Sequence, residues 1–186
     1  RNGEATAALR RAVAAGEHVA EATYYLAALE ERAGAYGIAA ERYALVPLIS
    51  AQSPVADDAL WWRGTLLETA GAYEDASVAF GQLVARYPAS EYAGDAGFHR
   101  GMVLYRSGRY DAAASAWGSM ATVATDTEDR ARARFWQARA LIDAGDEEAG
   151  RVALARVSTE YEGDFYALRA EALLGEGDDG GGEPQL

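Results

Sequence analysis

The sequence has no cysteine, no lysine, two histidines, two methionines and four prolines in 186 residues. Without cysteine there is no disulfide, no thiolate nucleophile and no Cys-ligated metal, and the redox compartment is left open. Without lysine there is no Gly-Lys cradle for a phosphate. The seventeen basic residues are all arginine, which reads as a GC-rich coding bias rather than as chemistry. They are outnumbered by 29 acids, giving a formal charge of −12, so the basic face that nucleic acid requires is missing. Such a balance promotes solubility. No apolar run reaches the roughly 18 residues a membrane-spanning helix needs, so no membrane insertion is expected. The chain begins at Arg1 without Met or a leader and ends in "GEGDDGGGEPQL". Both ends read as cuts in a longer protein, with any targeting signal outside this segment.

Half of the residues are hydrophobic, Ala dominates, and Ala, Leu, Glu and Arg are all strong helix formers. The glycines fall mostly at breaks. An all-α fold follows, and a repeat gives it its plan. "TAGAYEDASVAF" at 69–80 returns as "RSGRYDAAASAW" at 106–117, 37 residues later. At that period Gly34, Gly71, Gly108 and Gly145 form one column. Ala39, Ala76, Ala113 and Gly150 form a second, Tyr43, Phe80, Trp117 and Leu154 a third, and Ala27, Gly64, Gly101 and Ala138 a fourth. A fifth runs Leu9, Val46, Leu83, Met120 and Val157.

Each column has a physical role. The first glycine ends a helix at positive φ, and a short turn to the next helix makes antiparallel neighbours. The small columns let the two helices approach. The large column, one turn beyond a small one on the same face, fills the space between hairpins. Helices are expected at 4–15, 19–33, 37–50, 57–70, 74–86, 93–107, 110–121, 127–144, 147–160 and 164–174. Pro47 is expected to kink or shorten the third. Counted from Asp57, small Gly64 falls at position 8, Ala76 at 20, Phe80 at 24 and Pro88 at 32. This resembles the tetratricopeptide repeat, whose usual unit is about 34 residues, with three more placed in "RYPASEYAGD". The expected fold class is an α-solenoid of stacked antiparallel hairpins. Its expected organisation is one domain over 1–175: a truncated repeat at 1–16, repeats at about 19–54, 57–90, 93–125 and 127–161, an extra helix at 164–174, then a Gly/Asp-rich tail at 176–186.

Three longer segments, "ARYPASEYAGDAGFHRGMVLYRSGRYDAAASAW", "ARARFWQARALIDAGDEEA" and "EYEGDFYALRAEALLG", together resemble the helical superhelix that precedes the catalytic domain of bacterial soluble lytic murein transglycosylases. The resemblance covers roughly 55–175, and 20–54 less closely. It implies a non-catalytic scaffold in the extracytoplasmic cell envelope, periplasmic or secreted, that holds peptidoglycan or partner proteins for chemistry done elsewhere. The family's Glu-Ser pair and Gly-Leu-Met-Gln signature are absent. The "YPxSxYA" connection is also similar to that of two envelope adaptors, the Tol–Pal coordinator and the outer-membrane assembly lipoprotein, which implies the alternative of a stand-alone protein–protein adaptor.

No residues are assigned as catalytic, cofactor-binding or metal-binding. His18 and His99 lie 81 residues apart, not one helical turn apart as a two-His metal site requires. The acidic doublets Glu30/Glu31, Glu147/Glu148 and Asp178/Asp179 point about 100° apart on a helix, unlike two acids facing across a glycosidase cleft. The aromatics form two columns. Tyr24, Trp61, Phe98 and Phe135 share the face of the small column and are expected in the core. Tyr25, Trp62, His99 and Trp136 are turned by about 100° and either pack on the preceding hairpin or face a groove. The candidate groove-binding set is therefore Trp62, His99 and Trp136 with Arg63, Arg100, Arg106, Arg132 and Arg139. The bland alternative is buried rings and arginines paired with neighbouring acids.

Overall fold

The computed structural model describes residues 2–176, and all but the first residue of the tail expected at 176–186 lies outside the described residues. Ten helices and no strand are present among them: α1 Asn2–Ala15, α2 Val19–Arg32, α3 Tyr36–Ile49, α4 Ala56–Thr69, α5 Tyr73–Arg86, α6 Ala93–Arg106, α7 Tyr110–Val123, α8 Thr127–Asp143, α9 Glu147–Glu160 and α10 Phe165–Glu176. The fold class is all-α, a solenoid type built of antiparallel hairpins. The chain forms two compact units, residues 1–103 and 104–186, whose boundary falls inside α6.

The glycine column sets the hairpins. Gly34, Gly71, Gly108 and Gly145 have φ of 79°, 75°, 76° and 97°. At each, the glycine N–H donates to the carbonyl three residues back and the next N–H to the carbonyl five back, as in Gly71 to Glu68 (3.0 Å) and Ala72 to Leu67 (2.9 Å). This double closure ties off the last carbonyls of the first helix of each hairpin and restarts the chain two residues later. In consequence α3, α5, α7 and α9 begin at 36, 73, 110 and 147, all 37 apart.

The packing columns behave as their sizes dictate. Tyr43, Phe80, Trp117 and Leu154 are all essentially buried. In the first unit, one core joins Ala20, Ala27, Ala39, Tyr43, Val46 and Ala59, and a second joins Leu60, Ala76, Phe80, Leu83, Ala96 and Val103. In the second unit the core contains Phe135, Ala138, Leu154, Val157 and Ala170. Gly64 makes room for Phe80: a Cβ there would lie 2.5 Å from the ring. A Gly64→Ala variant is therefore expected to lose about 1 kcal/mol in a urea melt, because ring displacement outweighs the better helix propensity of alanine.

Pro47 lies inside α3, which runs to Ile49, one residue short of the expected end at 50, and closes through Ser50 N–H to Val46. So near the end, only one hydrogen bond is forfeited. One expectation is corrected: the fifth column slips at its first member. The connection from α1 to α2 is three residues shorter than that from α3 to α4, so α1 starts 34 residues before α3 and Leu9 takes the slot of Tyr43, not of Val46.

Burial has an electrostatic consequence. The Tyr43 hydroxyl donates to Glu31 at 3.0 Å, and burial followed by that carboxylate pushes the phenol well above its ordinary range. Burial and then Asp58 push Tyr24 up to about 12. Both folded pKa values exceed the unfolded value near 10, so their stabilising contribution is complete below about pH 10 and lost as pH rises through it toward 12. Urea midpoints are expected to hold steady to about pH 9.5 and then fall, and Tyr43→Phe should flatten that fall.

Candidate functional site

The first helix of each hairpin (α2, α4, α6, α8) carries the candidate residues, and α10 occupies the equivalent place. Trp62, Arg63, His99 and Arg100 belong to the first unit; Arg106, Arg132, Trp136 and Arg139 belong to the second.

In the first unit Trp62 is half-buried, packed with Tyr24 against the core around Tyr43. Arg63 is half-buried on the same helix. His99 sits among the rings of Trp61, Phe80 and Phe98, with centroids 5.4, 5.5 and 6.4 Å away. Its Nδ1 lies 2.7 Å from Glu68 Oε2, and its side chain is 36% exposed against 12% for the acid. The histidine is thus a polar member of an aromatic cluster. Arg100 lies over Gly81 of α5, its Nε 3.2 Å from where a Cβ would sit. This directs it along the second helix of the preceding hairpin.

In the second unit Trp136 packs on Trp117, Tyr105 and Phe135 with centroids 5.6, 5.9 and 5.9 Å apart. The Tyr105 hydroxyl donates to the Asp143 carboxylate, whose Oδ2 also stands 4.0 Å from Arg139 Nη2. Burial, then Asp143, raises the Tyr105 phenol. Arg132 forms a 2.7 Å pair with Asp129. The ring of Tyr166 of α10 packs tilted on Phe135 at 5.5 Å; burial raises its phenol, and Arg132 opposes that rise. Arg169 lies over Phe135 and Phe165 at 5.4 and 5.7 Å. Arg106 is exposed.

The second aromatic column therefore takes different environments in different hairpins. Tyr25 is 52% exposed beside an open apolar groove lined by Ala5, Ala8, Leu9 and Leu29, whereas Trp136 is held among three rings. The sequence reading missed Tyr105, Asp143, Tyr166 and Arg169. One signal was present: Glu21, Asp58, Asp95, Arg132 and Arg169 form a 37-residue column whose sign reverses at Arg132. Among the described residues, no group of three or more His, Cys, Asp or Glu is placed to hold a metal, and no helix is long and apolar enough to cross a membrane.

Comparison with known proteins agrees with this geometry. The Tetratricopeptide repeat family profile matches residues 73–129 and 98–165. No curated protein matches the chain. Among solved structures, a Podosopora anserina protein of nearly identical TPR-like repeats is similar at TM-score 0.56 and 16% identity, over 85% of this chain and 86% of that one. BtubC (BKLC) from P. vanneervenii is similar at TM-score 0.55 and 17% identity, over 90% and 66%. The MamA RS-1 ArsTM double mutant is similar at TM-score 0.54 and 16% identity, over 86% and 94%. At such identities the likeness concerns the fold alone. With a repeat profile spanning half of the chain and hairpins closed identically every 37 residues, the chain belongs to the tetratricopeptide repeat family.

Proposed function

We propose that the chain is a non-catalytic scaffold that holds a segment of a partner protein along the first helices of its hairpins. The observation that supports this most is the face of α8 and α10 in the second unit. Arg132, Arg139 and Arg169 stand there beside Trp136 and Tyr166, on rings locked by packing rather than on mobile loops. Rigid aromatic edges with adjacent guanidiniums hold a peptide at low entropic cost. No nucleophile–base pair accompanies them in the sequence, and fold alone does not fix function.

Panning a random peptide library against the whole chain tests the reading. Enriched peptides are expected to lose at least tenfold in affinity for an Arg132→Glu/Arg139→Glu variant, about 1.4 kcal/mol, and to bind a Ser119→Glu control unchanged. Equal binding to both variants, or no enrichment, would sink it.

A narrower form of the proposal places the scaffold in the cell envelope beside a transglycosylase, with peptidoglycan in place of the peptide. Its support is the likeness of "RFWQARAL" and "FYALRAEALLG" to that family. Retention of purified sacculi in the same assay, lost in the same variant, would favour it.

A further inference from the structure

The repeat itself shows what fits the open groove between α1 and α2. In the first core, α2 is seated between α3 and α4: Ala20, Tyr24 and Ala27 pack with Ala39 and Tyr43 of α3 and with Trp62 and Leu66 of α4. One repeat earlier, the same seat is formed by Ala5 and Leu9 of α1, 34 residues before Ala39 and Tyr43. Its other wall is Tyr25 and Leu29 of α2, 37 residues before Trp62 and Leu66. Among the described residues no helix fills this seat, and Ala5 and Tyr25 are open to solvent.

α10 is a first helix of the kind that fills such a seat, and its matching face is open. Four periods after Ala20, Tyr24 and Ala27 stand Leu168, Ala172 and Gly175. All three are exposed, Leu168 at 58%, and Phe165 on the same stripe is 61% exposed. The opposite face is used, by Ala167 and by Ala170 in the core of the second unit. α10 is therefore apolar on both sides, a pattern that belongs to a helix covered on both sides. Gly175 is also the fifth member of the small column Ala27, Gly64, Gly101 and Ala138. At Gly64 the missing side chain admits the Phe80 ring, 2.5 Å from where a Cβ would sit; at Gly175 no atom lies within 4 Å of that point.

We infer that copies of this chain join end to end, α10 of one copy entering the groove between α1 and α2 of the next. Leu9, which holds the slot of Tyr43 and Phe80, then meets Gly175 of the other copy, and α10 and α1 complete one antiparallel hairpin between them. Solenoid ends that stay single carry a polar outer face, and neither face here is polar. Charge fits the same pairing. The column Glu21, Asp58, Asp95, Arg132 and Arg169 is acidic in the first unit and basic in the second. Its last two members stand on neighbouring first helices and both act on Tyr166. Continued across the junction, the column sets Arg169 against Glu21 of the next copy, whereas α10 on α10, or groove on groove, would set like charges together. Glu21 accepts from the Ser53 hydroxyl at 2.8 Å, and a carboxylate has room for further donors. The contact is heterologous, so each junction leaves a free groove and a free helix face, and assembly runs past the dimer. Arg169 is shared with the proposed peptide face, but Ala5, Leu9 and Gly175 lie outside it, so the inference does not rest on that reading.

Sedimentation velocity of the whole chain from about 1 to 200 µM is expected to show species larger than a dimer. Ala5→Glu closes the groove and Gly175→Arg closes the helix face. Each fills an exposed position with a charge that suits its helix end, so both variants are expected to keep the fold and its thermal midpoint. Each alone is expected to stay monomeric over the same range. Mixed one to one, they retain one intact groove and one intact helix face, so the mixture is expected to form a dimer and stop there. Tyr25→Glu and Leu168→Glu, both at exposed positions, block the same two faces should either first variant lose its fold. Four results would overturn the inference: an unaltered chain that stays monomeric at 200 µM, which would assign both faces to other helices; an unaltered chain that ends at a dimer; a folded blocked variant that assembles alone; or a mixture that stays monomeric or grows past two copies.

Discussion

Replacing Phe80 by alanine is expected to cost about 3–5 kcal/mol, the range for deleting a fully buried phenylalanine. Phe80 is inaccessible to solvent and closes the core of α4, α5 and α6. Its ring lies 5.7 Å from Trp61 and 5.5 Å from His99, and presses on Gly64 from a distance that no Cβ could share. Because Gly64 offers no side chain to fill the void, collapse into the cavity would require movement of α4 itself, which places the loss toward the upper end. The tryptophans give a reading for each unit: Trp61 and Trp62 report on the first, Trp117 and Trp136 on the second. Urea melts of Phe80→Ala in Trp117→Phe/Trp136→Phe and Trp61→Phe/Trp62→Phe backgrounds should show the first-unit transition moving further than the second, as expected where repeats stabilise mainly their neighbours. A shift below about 1 kcal/mol would mean that the core around Phe80 relaxes freely.

The hairpins were legible because glycine at positive φ and a small–large pair are requirements of backbone geometry and volume, and such requirements recur in every copy. The direction of the second aromatic column was not legible, because it depends on what the neighbouring hairpin provides. Tyr25 faces Ala5, Ala8 and Leu9, too small to cover it, while Trp136 meets Trp117 and Tyr105. The same argument explains what a family resemblance carries here. In "RFWQARAL" the residues Phe135, Ala138 and Ala140 are buried, and in "FYALRAEALLG" Ala167 and Ala170 are. These positions record how helices of this repeat pack, which is why they speak for the fold more than for the partner. The charge reversal at Arg132 was visible in the same 37-residue register, but it becomes informative only once α8 and α10 are seen to set Arg132 and Arg169 around one aromatic cluster.

Gly150→Ala tests the limit of column reasoning most sharply. The other three members of its column are Ala39, Ala76 and Ala113, so the sequence suggests alanine as the consensus choice. Helix propensity alone would then give a gain of about 1 kcal/mol. The structure gives the opposite sign. A Cβ at Gly150 would stand 2.4 Å from Ile142 Cγ1, 2.8 Å from the Ala138 carbonyl oxygen and 3.0 Å from the Ile142 backbone nitrogen. Ile142 could rotate, but the two backbone atoms belong to α8 and can yield only if α8 and α9 move apart. That separation would loosen Phe135, Leu154 and Val157, which share one core across the two helices. Overpacking of this kind costs about 1–3 kcal/mol and outweighs the propensity gain. A second-unit urea transition lowered by about 1–2 kcal/mol, with the first unit unmoved, is the expected result. Stabilisation by alanine would show that α8 and α9 have slack to give, and that the closer approach at Gly150 is a consequence of the missing methyl group rather than a need of the packing around it.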